Sequence, residues 1–122
     1  MKNKERLSLI DDYIKIIQML KFANFLEKNN LSSNSTAMKE SILLSLKLKS
    51  EYEQVFNSIN MNDLSMKLLL KDLDSIDFDQ LVSMIDVDKK LLDYCQLLKE
   101  IDMRFKKKYN EMSNNKKNSV II

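Results

Sequence analysis

Residues 84–112, MIDVDKKLLDYCQLLKEIDMRFKKKYNEM, decide the fold. Counted in sevens from Met84, the first and fourth places read Met84, Val87, Leu91, Tyr94, Leu98, Ile101 and Phe105, an apolar series that Lys108 interrupts and Met112 resumes. Apolar residues at alternating three- and four-residue intervals lie along one side of an α-helix, and a sustained seven-residue repeat forms a coiled-coil-like seam. Ile85, Leu92, Cys95 and Leu97 flank that seam, so the apolar face is wider than a two-stranded coil needs and suits a bundle better. The reading is one long helix from about Phe78 to Met112, with Asp86 or Asp88 as the alternative point of division.

Such a helix is roughly 50 Å long at 1.5 Å per residue. A compact chain of 122 residues is equivalent to a sphere only roughly 35 Å across. The overhang and its apolar stripe are therefore expected to be covered by another chain: a protein partner or a second copy, a dimer being the first expectation. Met84, Val87, Leu91, Tyr94, Leu98, Ile101 and Phe105 are the candidate partner-binding residues.

Three shorter helices are expected upstream. Residues 5–28 place Leu7, Ile10, Ile14 and Ile17, then Leu20, Phe22, Phe25 and Leu26, at helical spacing, and Asn29 and Asn30 end the run. The loop LSSNST (31–36) offers Ser35 or Thr36 as the cap of a second helix reaching about Asn57. Its core face is read as Met38, Ile42, Leu44 or Ser45, Leu48, Tyr52, Val55 and Ile59, with Glu51 and Glu53 turned to water. Leu44, Leu46 and Leu48 alternate with polar residues as a strand would. Without glycine there is no hairpin turn to pair such a strand, and helix is the better reading. Asn60 and Asn62 mark a second break, followed by a short helix with Leu64, Met66, Leu68, Leu69, Leu70 and Leu73. Asp77 followed by Gln80 reads as a capping box that starts the last helix. The fold class is thus all-α: an elongated bundle of about four helices over residues 1–112, with 113–122 as a polar tail.

Composition removes most catalytic chemistry. The chain has no glycine, proline, histidine or tryptophan and one cysteine. Phosphate-cradling loops need glycine where the backbone takes positive φ or approaches a ligand closely, and triads and zinc sites need imidazole or several thiols. No cofactor, no metal site and no catalytic residue are expected. Cys95 reads as a small buried hydrophobe. Residues 1–12 hold no stretch apolar enough for a signal-peptide core, and no apolar run exceeds three residues, so a cytoplasmic protein without a membrane span is expected.

Charge is balanced overall, with a net of +2, but unevenly placed. Residues 72–88 carry six aspartates and no base. They do not fit the calcium-loop pattern, lacking both its glycine and its final glutamate. Asp72, Asp74, Asp77 and Asp79 are the candidate acidic docking surface for a basic partner. Downstream, Arg104, Lys106, Lys107, Lys108, Lys116 and Lys117 face only Glu111, and the first four are candidate phosphate contacts. The eight methionines read as core filling, with an adaptable binding surface as the alternative. The functional expectation is a non-catalytic interaction module: an adaptor, inhibitor or assembly subunit. A small helical chaperone and a non-specific nucleic-acid binder are the alternatives.

Overall fold

The computed structural model describes the backbone of residues 3–59 and 64–121, with side chains described for 7–59, 67–68 and 70–108. Five α-helices follow one another: α1 (Asn3–Lys28), α2 (Ser35–Ser58), α3 (Leu64–Leu73), α4 (Phe78–Met84) and α5 (Val87–Ile121). No strand occurs among the described residues, and α2 runs straight through the alternating leucines of 44–48. None of the described helices is long and apolar enough to cross a membrane.

The turn between α1 and α2 shows how a chain without glycine stops a helix. Asn30 takes the left-handed conformation, φ 53°. Its short side chain makes this tolerable where most residues would be strained. The amide of Leu31 then donates to the carbonyl of Leu26 at 3.0 Å and that of Asn30 to Glu27 at 3.3 Å, the paired closure of a Schellman motif. The cap of α2 is Asn34, whose side chain accepts from the amide of Ala37 at 3.1 Å, and not Ser35 or Thr36 as expected. Ser35 is already the first helical residue.

Three long helices form the body. Asp12 and Tyr13 of α1 meet Tyr52 and Glu53 of α2, and the short loop at the other end makes this pair antiparallel. Asp12 also meets Arg104, and Phe22 meets Tyr94, so α5 runs antiparallel to α1. Ser41 lies against Cys95, Lys47 against Asp102 and Tyr52 against Phe105, so α2 and α5 run parallel. A parallel pair needs a crossover, which α3 and α4 supply along α1. Lys21 binds Asp74, and Phe78 stacks near Phe22 and Phe25 with ring centres 6.2 and 5.5 Å away.

Helix α1 is the centre of this arrangement, and its burial departs from the expected face. Of the expected residues Ile17, Leu20, Phe22 and Leu26 are buried, Ile10, Ile14 and Phe25 are half-buried and Leu7 is exposed, while Leu9, Tyr13, Ile16, Met19 and Ala23 are buried in addition. Two apolar ladders run side by side in this sequence, and neighbours on several sides bury more than one stripe. On α2, Ala37, Ser41 and Ser45 present small side chains where α5 crosses, and large ones resume at Leu48, Tyr52 and Phe56. The Cys95 thiol is buried as expected. It donates to the carbonyl of Ala37 at 3.3 Å and lies 2.7 Å from the Ser41 hydroxyl.

The long helix is divided, correcting its expected continuity across residues 78–112. Ile85 is extended (φ −129°, ψ 160°), and the Asp86 side chain accepts from the amide of Lys89 at 3.2 Å, starting a new helix. Four buried or half-buried rings and three ion pairs tie α1 and α2 to the helix that follows. That helix has 35 residues, about 50 Å, but spans Val87–Ile121, so residues 113–121 continue it where a tail was expected. From Phe105 it goes on to Ile121, while α2 goes from Tyr52 only to Ser58, and α5 passes beyond it. The break expected at Asn60 and Asn62, and the side chains of Leu64, Met66, Leu69, Met112, Lys116 and Lys117, lie outside the described residues.

Glu53 was expected to face water. Instead its carboxylate accepts from the Tyr13 phenol at 2.7 Å and pairs with Lys49 at 2.9 Å. Burial opposes its charge, but these two hydrogen bonds outweigh burial and hold its pKa below the ordinary 4.5. Burial pushes the phenols of Tyr13 and Tyr52 well above their ordinary 10, helped by Glu53 and Asp12 respectively. A phenol with a raised folded pKa stabilises the fold below pH about 10, and that contribution is lost as pH climbs beyond it. A carboxyl with a lowered pKa stabilises above pH about 4.5 and is lost as pH falls. Thermal unfolding is therefore expected to be level from pH about 6 to 9 and to decline on both sides. Tyr13→Phe should flatten both declines, since it removes one phenol and one donor to Glu53. A melting temperature still falling with unchanged slope in that variant would show that other groups set the limits.

Candidate interaction surface

The seven expected partner-binding residues do not form an outward face. Leu91, Leu98 and Ile101 have no exposed surface and lie in the chain's own core. Tyr94 and Phe105 are half-buried against it, Phe105 with its ring centre 5.0 Å from that of Tyr52, and Val87 packs on the core cluster that holds Phe22, Leu26 and Leu91. Met84 alone is open, at 75% exposure, because the break at Ile85 turns α4 away from the line of α5. The expectation that the seam inserts into another chain is corrected accordingly: α1 and α2 already cover it.

The acidic residues of the crossover are mostly engaged locally. Asp77 caps α4 by accepting from the amide of Gln80 at 3.1 Å, and Asp74 pairs with Lys21. Asp88 accepts hydroxyls from Ser32, at 2.6 Å, and Ser33, which hold its carboxyl below the ordinary range and pin the α1–α2 loop to the start of α5. Asp72 and Asp79 are exposed. No group of three potential metal ligands converges among the described residues. At the basic end, Arg104 binds Asp12 at 3.1 Å and Lys106 binds Asp102 at 3.1 Å. Lys107 and Lys108 are exposed. Two of the four candidate phosphate contacts are thus drawn into pairing α5 with the bundle or with itself.

What the structure leaves outward is a different set. Leu43 and Leu46 on α2, and Leu92 and Met103 on α5, are large apolar side chains from 49% to 71% exposed. Glu40 and Lys47 sit one turn to either side of Leu43, and they reach across to Lys99 at 3.0 Å and Asp102 at 3.3 Å. Lys99 lies in turn on the line Leu92, Gln96, Lys99, Met103, which winds along one side of α5 at four-, three- and four-residue steps. Leu43, Leu92 and Met103 therefore share the face where α2 and α5 meet, while Leu46 lies a heptad before Glu53, on the side of α2 towards α1. Asp102 joins Lys47 to Lys106 and is only 15% exposed, so the ion pairs form a short network. In comparisons with protein-family models, curated proteins and solved structures, nothing matches the chain.

Sequence reasoning missed this face because its residues carry the same signal as core residues. Leu92 reads as a widening of the seam and Met103 as core filling. Leu43 is hidden in the run ILLSLKL. The Glu40–Lys99 and Lys47–Asp102 pairs were equally hidden, because their partners lie on different helices and no local spacing announces them.

Proposed function

We propose that the protein is a non-catalytic helical interaction module, an adaptor, inhibitor or assembly subunit, and that it contacts its partner through the face shared by α2 and α5. The observation that carries this reading is the placement of Leu43 on one side of the Glu40–Lys99 and Lys47–Asp102 pairs and of Leu92 and Met103 on the other. Large apolar side chains left exposed on both sides of a charged seam are surface that a protein partner can cover. The two inter-helix pairs hold α2 and α5 in one geometry, so little order is lost when the face is covered.

Glutamate at both Leu43 and Met103 tests the reading. These sites are exposed, so the circular dichroism and melting temperature of the double variant should match the parent. Its affinity for the protein that co-purifies with the chain should fall by roughly a thousandfold, as loss of two anchors of about 2 kcal/mol each implies. Leu68→Glu, an equally conservative change at an exposed site on α3, should leave binding intact. Equal binding by parent and double variant would rule the face out. A complex with nucleic acid would instead weaken with salt, with a slope reduced by about two units when Lys107 and Lys108 are neutralised.

A further inference from the structure

Helix α4 is seven residues long, and none of them is fully buried. Isolated helices this short do not hold their shape in water, so α4 depends on what it lies against. Phe78, Leu81 and Val82, at steps of three and four from the first, and Ile85 just past the helix end all pack on the cluster formed by Phe22, Ala23, Leu26, Leu91 and Cys95. This is the pattern of an amphipathic helix laid in a hydrophobic groove. Its two ends are both non-helical, at Ile76–Asp77 and at Ile85–Asp86, so it can leave without unwinding α3 or α5. The groove floor, by contrast, is built from the central helix and α5. Cations stand at its margin: Lys21, paired with Asp74, and Lys90, 5.1 Å over the ring of Tyr94.

We propose that α4 is an internal ligand, and that the groove between α1 and α5 beneath it accepts, in exchange, a short amphipathic helix from a partner protein. The segment seated there defines the chemistry of that partner. It carries bulky apolar residues at i, i+3 and i+4, a further one just past its end, and acidic residues at its start, like Asp77 and Asp79, with no base. Tethering gives α4 a high effective concentration, so it wins over a weak competitor and yields to one that makes more contacts. The site is separate from the α2–α5 face, and failure of either leaves the other standing.

Two measurements on the full chain test this. In native-state amide exchange, the amides of α4 should exchange through a local opening insensitive to low denaturant, while those of α1 and the first half of α5 wait for global unfolding. A fluorescent peptide of sequence DFDQLVSMID (77–86) should bind the Phe78→Ser/Leu81→Ser variant at least about tenfold more tightly than the parent, whose groove is occupied more than nine-tenths of the time. A peptide of the same composition with the apolar spacing scrambled should not bind. Exchange of α4 only with global unfolding would overturn the proposal even if the double variant failed to fold, as would equal peptide binding by a folded variant and the parent.

Discussion

Replacing Leu98 with aspartate is expected to unfold the chain and not merely to release it from a partner. Leu98 has no exposed surface and sits in a core cluster among residues of α1 and α2, including Ile16, Ile17 and Leu48. Truncating such a leucine alone costs about 2–5 kcal/mol. The carboxylate must further stay charged without water or take up a proton, and either adds several kcal/mol more. The total approaches the about 5–15 kcal/mol that holds an ordinary domain together. Circular dichroism should show the helical signal largely lost at 25 °C, and sedimentation an expanded or aggregated species. Met103→Asp, on the outer side of the same helix, should leave both measurements unchanged. A folded Leu98→Asp monomer would mean that the seam serves another chain after all.

Asp12→Ala carries the next largest effect. Asp12 lies where the three long helices converge: one carboxylate oxygen accepts from the Tyr52 phenol at 3.0 Å and the other from Arg104 at 3.1 Å. Tyr52 is only 1% exposed, so removing its acceptor strands a buried donor, a cost of about 1–3 kcal/mol. The Arg104 side chain is half exposed, and water recovers most of what it loses. Denaturant unfolding should therefore report about 2–3 kcal/mol for Asp12→Ala and about 1 kcal/mol for Tyr52→Phe. The double variant should cost less than the sum of the two, because each change removes the same hydrogen bond. Strict additivity would show that the phenol and the carboxylate act independently.

These two sites also show what the sequence made legible. The seam of α5 announced a helix with one apolar side, and Leu91, Leu98 and Ile101 are indeed its innermost residues. Periodicity gives the side but not the neighbour, and the neighbours proved to be α1 and α2 of the same chain. The cap at Asp77 was readable because carboxylate, spacing and following hydrophobes agreed. The break at Ile85 was only half readable: Met84, Val87 and Leu91 keep heptad register across it, while Asp86 supplies a competing start signal. On α1 one of two parallel ladders was chosen, and a helix surrounded by others uses both. Glu53 looked solvated because its partner Tyr13 lies 40 residues away, a distance that no local pattern reports. The α2–α5 face was illegible for the converse reason, since an exposed leucine and a buried one are the same letter.

The placement of the methionines allows the central claim, a self-contained bundle that offers its α2–α5 face, to be tested in one measurement. Met19 and Met38 are buried, while Met84 and Met103 are more than 70% exposed and lie on different parts of the surface. Thioether oxidation follows access to solvent. Limited peroxide or hydroxyl-radical oxidation, read residue by residue by mass spectrometry, should modify Met84 and Met103 rapidly in the free chain and spare Met19 and Met38. In a complex formed through the proposed face, Met103 should become protected while Met84 remains reactive. Protection of Met103 in the free chain at low concentration, or its undiminished oxidation in the complex, would contradict the account.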